Sequence, residues 1–281
     1  MLIKAGLKKE WLHFTRTFRL GGVILGTVSF AIADPLMYWL LSMLLSAAES
    51  SAGAVGFSTP DSLGNISEML NNSSFMYGMT LAELCSTSLL VIMLVLMSPC
   101  GGEQKKRATI IPAGSGLDTF SYLVPKYILY PLTVFAAAFL SSCIAGGLCM
   151  TLFDGGAALE PDKMLLAALL CGVYMAFYIT VYMSIGLFTS RPGLVTVFMY
   201  IGMSLVEVIL TYLDLKNFQP LTLKSLVTGE MFYPDFVLAD NILNIAVSVI
   251  LSLVVGAMMF VLALAVLKSR KINNRIDKPE F

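Results

Sequence analysis

Six stretches of this chain are each long and apolar enough to cross a bilayer, which removes most of the folds open to its 281 residues. A hydrocarbon core of about 30 Å takes roughly 18 or more mostly apolar residues in helical form. Segments near 21–46, 75–98, 122–152, 164–188, 194–213 and 241–267 meet that length. A backbone in lipid must satisfy its own hydrogen bonds, so each is expected to be a helix. A β-barrel would show alternating segments of about ten residues, and none is present. The segment 122–152 is too long for a straight crossing and is expected to tilt or to begin at the interface around Tyr122–Tyr130. Between the fourth and fifth stretches there is room only for a tight turn, with Pro192 stopping a helix and Gly193 permitting the reversal. Composition excludes a soluble enzyme: 13% of residues are charged, against about 25% in soluble domains, and the mean hydropathy is +0.82. The expected fold is all-α, a polytopic membrane protein forming a single transmembrane domain over residues 1–281.

The distribution of charge predicts orientation. Of eighteen Lys and Arg residues, fifteen fall in the N-terminal segment, in the connection after the second span with the start of the third (Lys105, Lys106, Arg107, Lys126), at Arg191, or in the tail from Lys268. The opposite connections hold Lys163, Lys216 and Lys224 with ten carboxylates. The positive-inside rule then makes both termini cytoplasmic, which an even span number permits. The placement expected is a multi-pass cell membrane protein, of the bacterial cytoplasmic membrane. Net charge is zero, and nothing in the balance calls for a nucleic-acid partner.

The N-terminus lacks the short apolar core and small-residue cleavage site of a signal peptide. Ile3, Leu7, Trp11, Phe14 and Phe18 instead recur at helical spacing, with Lys4, Lys8, Lys9 and Arg16 available to the other face. Residues 1–19 are therefore expected to form an amphipathic helix in the headgroup plane, apolar face toward lipid.

Chemistry-bearing motifs are sparse. All five cysteines, Cys85, Cys100, Cys143, Cys149 and Cys171, lie in or at the ends of spans, without zinc spacing and outside any disulfide framework; they read as small packing residues. The single histidine, His13, excludes a His-pair metal site. No GxSxG elbow and no phosphate-binding GxxxxGK[ST] loop occurs, so no catalytic residue, metal site or cofactor is assigned to the chain itself. The outer loop 48–74 is rich in Ser, Gly and Asn; its Asn-x-Ser triplets at Asn65, Asn71 and Asn72 carry no weight without a eukaryotic secretory pathway.

The connection 101–119 is the most informative segment. It opens on Gly101-Gly102, runs through Glu103, Gln104, Lys105, Lys106, Arg107, Ala108 and Thr109, and closes at Pro112 before Gly114-Ser115-Gly116. Such charged, helix-forming length exceeds what a turn needs and suits a cytoplasmic helix that docks on a partner.

With these features the chain resembles, over essentially its whole length, the membrane subunits of type-2 ATP-binding-cassette exporters. The resemblance rests on Glu103, Lys105, Lys106, Arg107, Thr109, Pro112, Ser115 and Lys126, on Lys9-Glu10 with Arg16 and Arg19, and on the long connection before the sixth span (214–240). It implies a coupling helix at 103–109, a 214–240 loop that is a candidate re-entrant segment, and a second permease copy or related permease. It also implies two separate ATPase subunits that bind ATP and Mg. The chain itself is then a transport subunit, not an enzyme.

Three carboxylates lie within spans: Asp34, Glu83 and Glu207. A charge at the bilayer centre costs about 2.5–3.5 kcal/mol on insertion scales, so each requires a reason. At about 1.5 Å per residue all three fall at compatible depths in the outer half. They are candidates for a translocation path or a subunit interface; the alternative is carboxylates that reach outer water or bond within the bundle. A secondary transporter, or another six-span protein without an ATPase, is the competing class, though no inverted repeat is evident between 1–140 and 141–281. Drug, peptide and lipid-like substrates all remain open.

Overall fold

The apolar stretches are helices in the computed structural model, which describes residues 2–54, 69–99, 119–153, 158–188, 191–213, 220–232 and 236–276. Among these the regular structure is helical: α1 (Leu2–Arg16), α2 (Arg19–Ala54), α3 (Ser73–Glu83), α4 (Leu89–Val95), α5 (Thr119–Leu152), α6 (Pro161–Gly186), α7 (Pro192–Tyr212), α8 (Thr222–Thr228) and α9 (Leu238–Ile276). A π turn, Leu84–Ser88, joins α3 to α4 into one crossing segment, and a 3-10 turn, Glu230–Phe232, follows α8. With α3 and α4 counted together, six helices are long and apolar enough to span a membrane. The chain is a multi-pass helical membrane protein.

Local chemistry sets several boundaries. Asn72, read from sequence only as part of a glycosylation triplet, caps α3: its side-chain oxygen accepts from the backbone N–H of Ser74 (3.0 Å) and Phe75 (3.2 Å). Pro161 opens α6, where its missing N–H has no helical partner to lose. Between α1 and α2 stands Phe18, the one described non-glycine residue with positive φ (56°). It corrects the expected stripe. The helix ends at Arg16, so Phe18 falls in the bend instead of continuing the α1 face, and its side chain is 84% exposed.

Packing centres on α6, which is 56% buried over its apolar window, against 17% for α7 and 11% for α9. Its broadest interface is with α5. Gly172 makes that approach close: a Cβ there would lie 2.9 Å from the Phe135 ring and 3.2 Å from the Phe135 carbonyl oxygen. On α2, Gly22 and Gly26 form a small-xxx-small pair whose Cβ positions would touch Val95 (3.0 Å) and Val91 (3.1 Å) of the next crossing. The Ser88 hydroxyl donates to the Gly26 carbonyl at 2.7 Å, tying the π turn to α2. Tyrosines brace the interior: Tyr77 donates to Met164 O (3.2 Å), Tyr178 to Met199 O (2.9 Å) and Tyr182 to Met93 O (3.1 Å). In lipid such bonds give buried hydroxyls a partner they could not find in hydrocarbon.

Two consequences of this packing position the functional groups. First, α1 and the C-terminal part of α9 meet the same end of α5, α1 through Phe14 on Tyr130 (5.1 Å) and α9 through Phe260 on Tyr127 (5.0 Å). Second, the connection 214–240 does not stay outside the bundle. Its described part forms α8, with Thr222, Leu223, Leu226 and Val227 buried, packed against α3 and α6.

Candidate functional site

Polar groups concentrate in two clusters, one at the α1 end of the bundle and one well along the spans. The first is built by the i, i+4, i+8 row Gly6, Glu10 and Phe14 of α1 against the start of α5. Pro125 has no N–H to offer the Ser121 carbonyl, and Gly6 fits against that spot: a Cβ would lie 2.9 Å from Pro125 Cγ and 3.2 Å from Ser121 O. One turn on, Glu10 is 5% exposed and Lys126 fully buried, with Nζ 4.0 Å from Oε1. Tyr130 donates to Glu10 Oε2 at 3.1 Å, and the Lys126 ammonium sits 4.7 Å from the centre of the Tyr122 ring. Alongside, Arg19 donates to Ser98 Oγ (3.0 Å) and to His13 Nδ1 (3.2 Å). A guanidinium only donates, so His13 Nδ1 is the acceptor in this contact.

This arrangement divides the apolar stripe read from sequence. Phe14 is fully buried in the protein, whereas Ile3, Leu7 and Trp11 are 40%, 38% and 44% exposed on the adjoining flank. The docking row is polar at its centre, so a search for apolar periodicity passes over Glu10. Lys126, counted among the charges at the start of the third span, is one half of a buried ion pair.

Glu103, Gln104, Lys105, Lys106, Arg107 and Thr109 lie outside the described residues. The described ends of their segment are nonetheless informative: Ser98, just before it, is held by Arg19, and Lys126, shortly after it, by Glu10.

The second cluster surrounds the π turn. Asp34, Glu83 and Glu207 each stand fifteen residues from the α1 end of their span, at Arg19, Ser98 and Pro192, or roughly 22 Å along a helix. The structure brings the first two together: Asp34 and Glu83 interact electrostatically with each other and with Tyr38. Thr87 donates to Glu83 Oε2 at 2.6 Å, while Asp34 Oδ2 is buried and accepts no hydrogen bond from the described residues. Glu207 goes elsewhere. Lys224 of α8 donates to its Oε2 at 2.9 Å, with the two side chains 24% and 28% exposed. Sequence reasoning marked 214–240 as an outer loop and a candidate re-entrant segment but did not pair Lys224 with Glu207, because nothing local to either residue links them.

The Glu207–Lys224 pair forms one wall of a cavity of about 30 Å³ lined also by Cys85, Ser86, Tyr174, Tyr178, Tyr200 and Met203. That is room for a water molecule or two. π turns are found disproportionately at functional sites, since the extra residue re-aims side chains; here it places Glu83 and Thr87 toward α2, and Cys85 and Ser86 on the cavity. Behind it, Cys85 Sγ lies 3.7 Å from Cys171 Sγ, both buried, and among the described residues no group of three His, Cys, Asp or Glu forms a metal site. Copper-phenanthroline treatment of the purified chain is expected to join Cys85 to Cys171, two thiols giving up two protons and, to Cu(II), two electrons. Peptide mass mapping checks it: a disulfide formed instead between Cys143 and Cys149 would show that the π turn does not face α6 as described.

No family model, no curated protein and no solved structure matches this chain.

Proposed function

We propose that this chain is the membrane subunit of an ATP-driven exporter of the type-2 ATP-binding-cassette class. It works as a pair of membrane subunits with two separate ATPase subunits that hold ATP and Mg, in the bacterial cytoplasmic membrane. Both chain ends lie on the ATPase side.

The observation that carries this reading is that the described residues on either side of Glu103–Thr109 are both held by the N-terminal part of the chain. Arg19, at the start of α2, donates to Ser98 before the segment, and Glu10 of α1 pairs with Lys126 after it. A displacement imposed there by a docked partner has a short mechanical route into α2 through Arg19 and into α5 through Lys126. On this reading the polar cluster around the π turn lies along the translocation path or at the subunit interface. The specific observation favouring a secondary transporter is that two intramembrane carboxylates, Asp34 and Glu83, lie near enough to interact electrostatically.

The test compares the triple reversal Glu103→Lys, Lys105→Glu, Arg107→Glu with a tail reversal at Lys268, Arg270 and Lys271. Like-charge contacts at a docking surface cost several kcal/mol. The segment variant is therefore expected to lose co-purification of the ATPase subunit and substrate-stimulated hydrolysis, while the tail variant keeps both and the isolated chain hydrolyses no ATP. Full assembly and stimulation in the segment variant would overturn the coupling assignment. Transport by the isolated chain driven by a proton gradient would replace it with the secondary-transporter reading.

A further inference from the structure

We propose that the cavity beside the π turn is a binding site for an amphiphilic alkylammonium cation, which takes the place of the Lys224 ammonium on Glu207. The inference does not depend on an ATPase partner and is tested on the isolated chain.

The lining states the chemistry. With Lys224 set aside, the lining is one carboxylate (Glu207), three tyrosines (Tyr174, Tyr178, Tyr200), Met203, Leu89 and Cys85, with Ser86 and Ser204. Tyr178 has committed its hydroxyl to the Met199 carbonyl at 2.9 Å, so what it has left to offer is its ring. Aromatic faces carry negative potential and favour a cation held close to them, and a carboxylate beside them supplies a charge-assisted hydrogen bond. An anion would meet the reverse: Glu207 projecting from the long helix α7 and three rings that repel it.

Lys224 is itself the evidence for the ligand class. It brings a primary ammonium on a four-carbon apolar stem to 2.9 Å from Glu207 Oε2, which makes it an alkylammonium supplied by the chain. Each side chain of the pair is about a quarter exposed, so the pair is not sealed inside the protein. The lysine stem is flexible and carries a single-point charge, so it can withdraw while Glu207 stays. At about 30 Å³ the cavity is too small for a second ammonium with its chain while Lys224 is in place. Entry of a ligand and departure of Lys224 are therefore one exchange.

The experiment is equilibrium binding of n-hexylammonium to the full chain in lipid nanodiscs, with empty nanodiscs subtracted and n-hexanesulfonate as the anionic control. Lys224→Ala removes the internal competitor for Glu207, so affinity is expected to rise about tenfold, which is about 1.4 kcal/mol. Glu207→Gln keeps the shape and removes the charge, so affinity is expected to fall about tenfold. The double variant should bind as weakly as Glu207→Gln. In addition, n-hexylammonium should raise the thermal midpoint of Lys224→Ala more than that of the unaltered chain, a rescue that a variant with only a packing defect would not show. Equal binding by Glu207→Gln and the unaltered chain would overturn the proposal. So would hexanesulfonate binding that disappears in Lys224→Ala, which would make the cavity an anion site.

Discussion

Glu10→Ala is expected to destabilise the chain by about 3–5 kcal/mol, the cost of breaking a buried ion pair by removing one partner. Lys126 is fully buried and Glu10 is the carboxylate the structure pairs with it, 4.0 Å away. Removing Glu10 takes away the carboxylate 4.0 Å from the Lys126 ammonium and the acceptor of the Tyr130 hydroxyl. Lys126 cannot escape by extending to water, because Gly6, Glu10 and Phe14 of α1 lie over the start of α5. The double variant Glu10→Leu, Lys126→Met is expected to recover most of the loss, since a buried pair can be exchanged for apolar groups of similar volume at little net cost. Denaturant titration of the purified chain in mixed micelles measures both. A single variant within about 0.5 kcal/mol of the unaltered chain, as for a surface substitution, would mean that α1 does not dock as described. A double variant as unstable as the single would assign the effect to packing instead of charge.

The second large effect is expected at Gly78, where α3 meets α8. A Cβ there would lie 2.8 Å from the Thr228 carbonyl oxygen and 3.2 Å from the Phe232 ring. The oxygen belongs to backbone, so it cannot turn aside as a flexible side chain would, and α8 must shift as a body. Gly78→Ala should therefore cost about 1–3 kcal/mol, the range for overpacking a filled interior. Because Lys224 rides on α8, the same shift draws its ammonium away from Glu207 and opens the cavity wall. Cys85, a lining residue that is now 2% exposed, should react faster with a methanethiosulfonate reagent. Gly147→Ala is the matched control. It lies in α5 with nothing within 4 Å of its Cβ position, so replacement should stabilise by up to about 1 kcal/mol through helix propensity alone. If the two substitutions behave alike, the close approach of α8 to α3 is wrong.

Much of the architecture was legible before any coordinates. The six helices long enough to span and the helical N-terminal segment follow from length and periodicity, whereas Pro192, read as a helix stop, opens α7. The Gly22/Gly26 pair could also have been read, because small residues four apart announce close helix approach. The segment at Glu103–Thr109 stands where sequence reasoning left it, as a charged stretch whose surroundings are described only at its two ends. Partnerships, in contrast, were read poorly. Glu10 reads in sequence as part of a basic entry segment and Lys126 as a charge at the start of the third span, and they are one buried pair across 116 residues of chain. Lys224, in a segment read as an outer loop with a re-entrant option, pairs with Glu207.

The division has a physical cause. Transfer of a segment into hydrocarbon is close to additive over its own residues, so the sequence by itself determined which stretches become spanning helices. Whether a charge within or beside those helices is stranded, paired or turned to water depends on the rotation and register of two helices at once. That is set by groups with no sequence signature of their own: the notch at Ser121–Pro125 that admits Gly6, the Thr228 carbonyl that leaves room only for a hydrogen at Gly78, and the extra residue of the π turn that aims Cys85 and Ser86 one way and Glu83 another. Only the tertiary structure decided that Phe14 faces protein while Ile3, Leu7 and Trp11 do not, and that the third intramembrane carboxylate has a cation of its own.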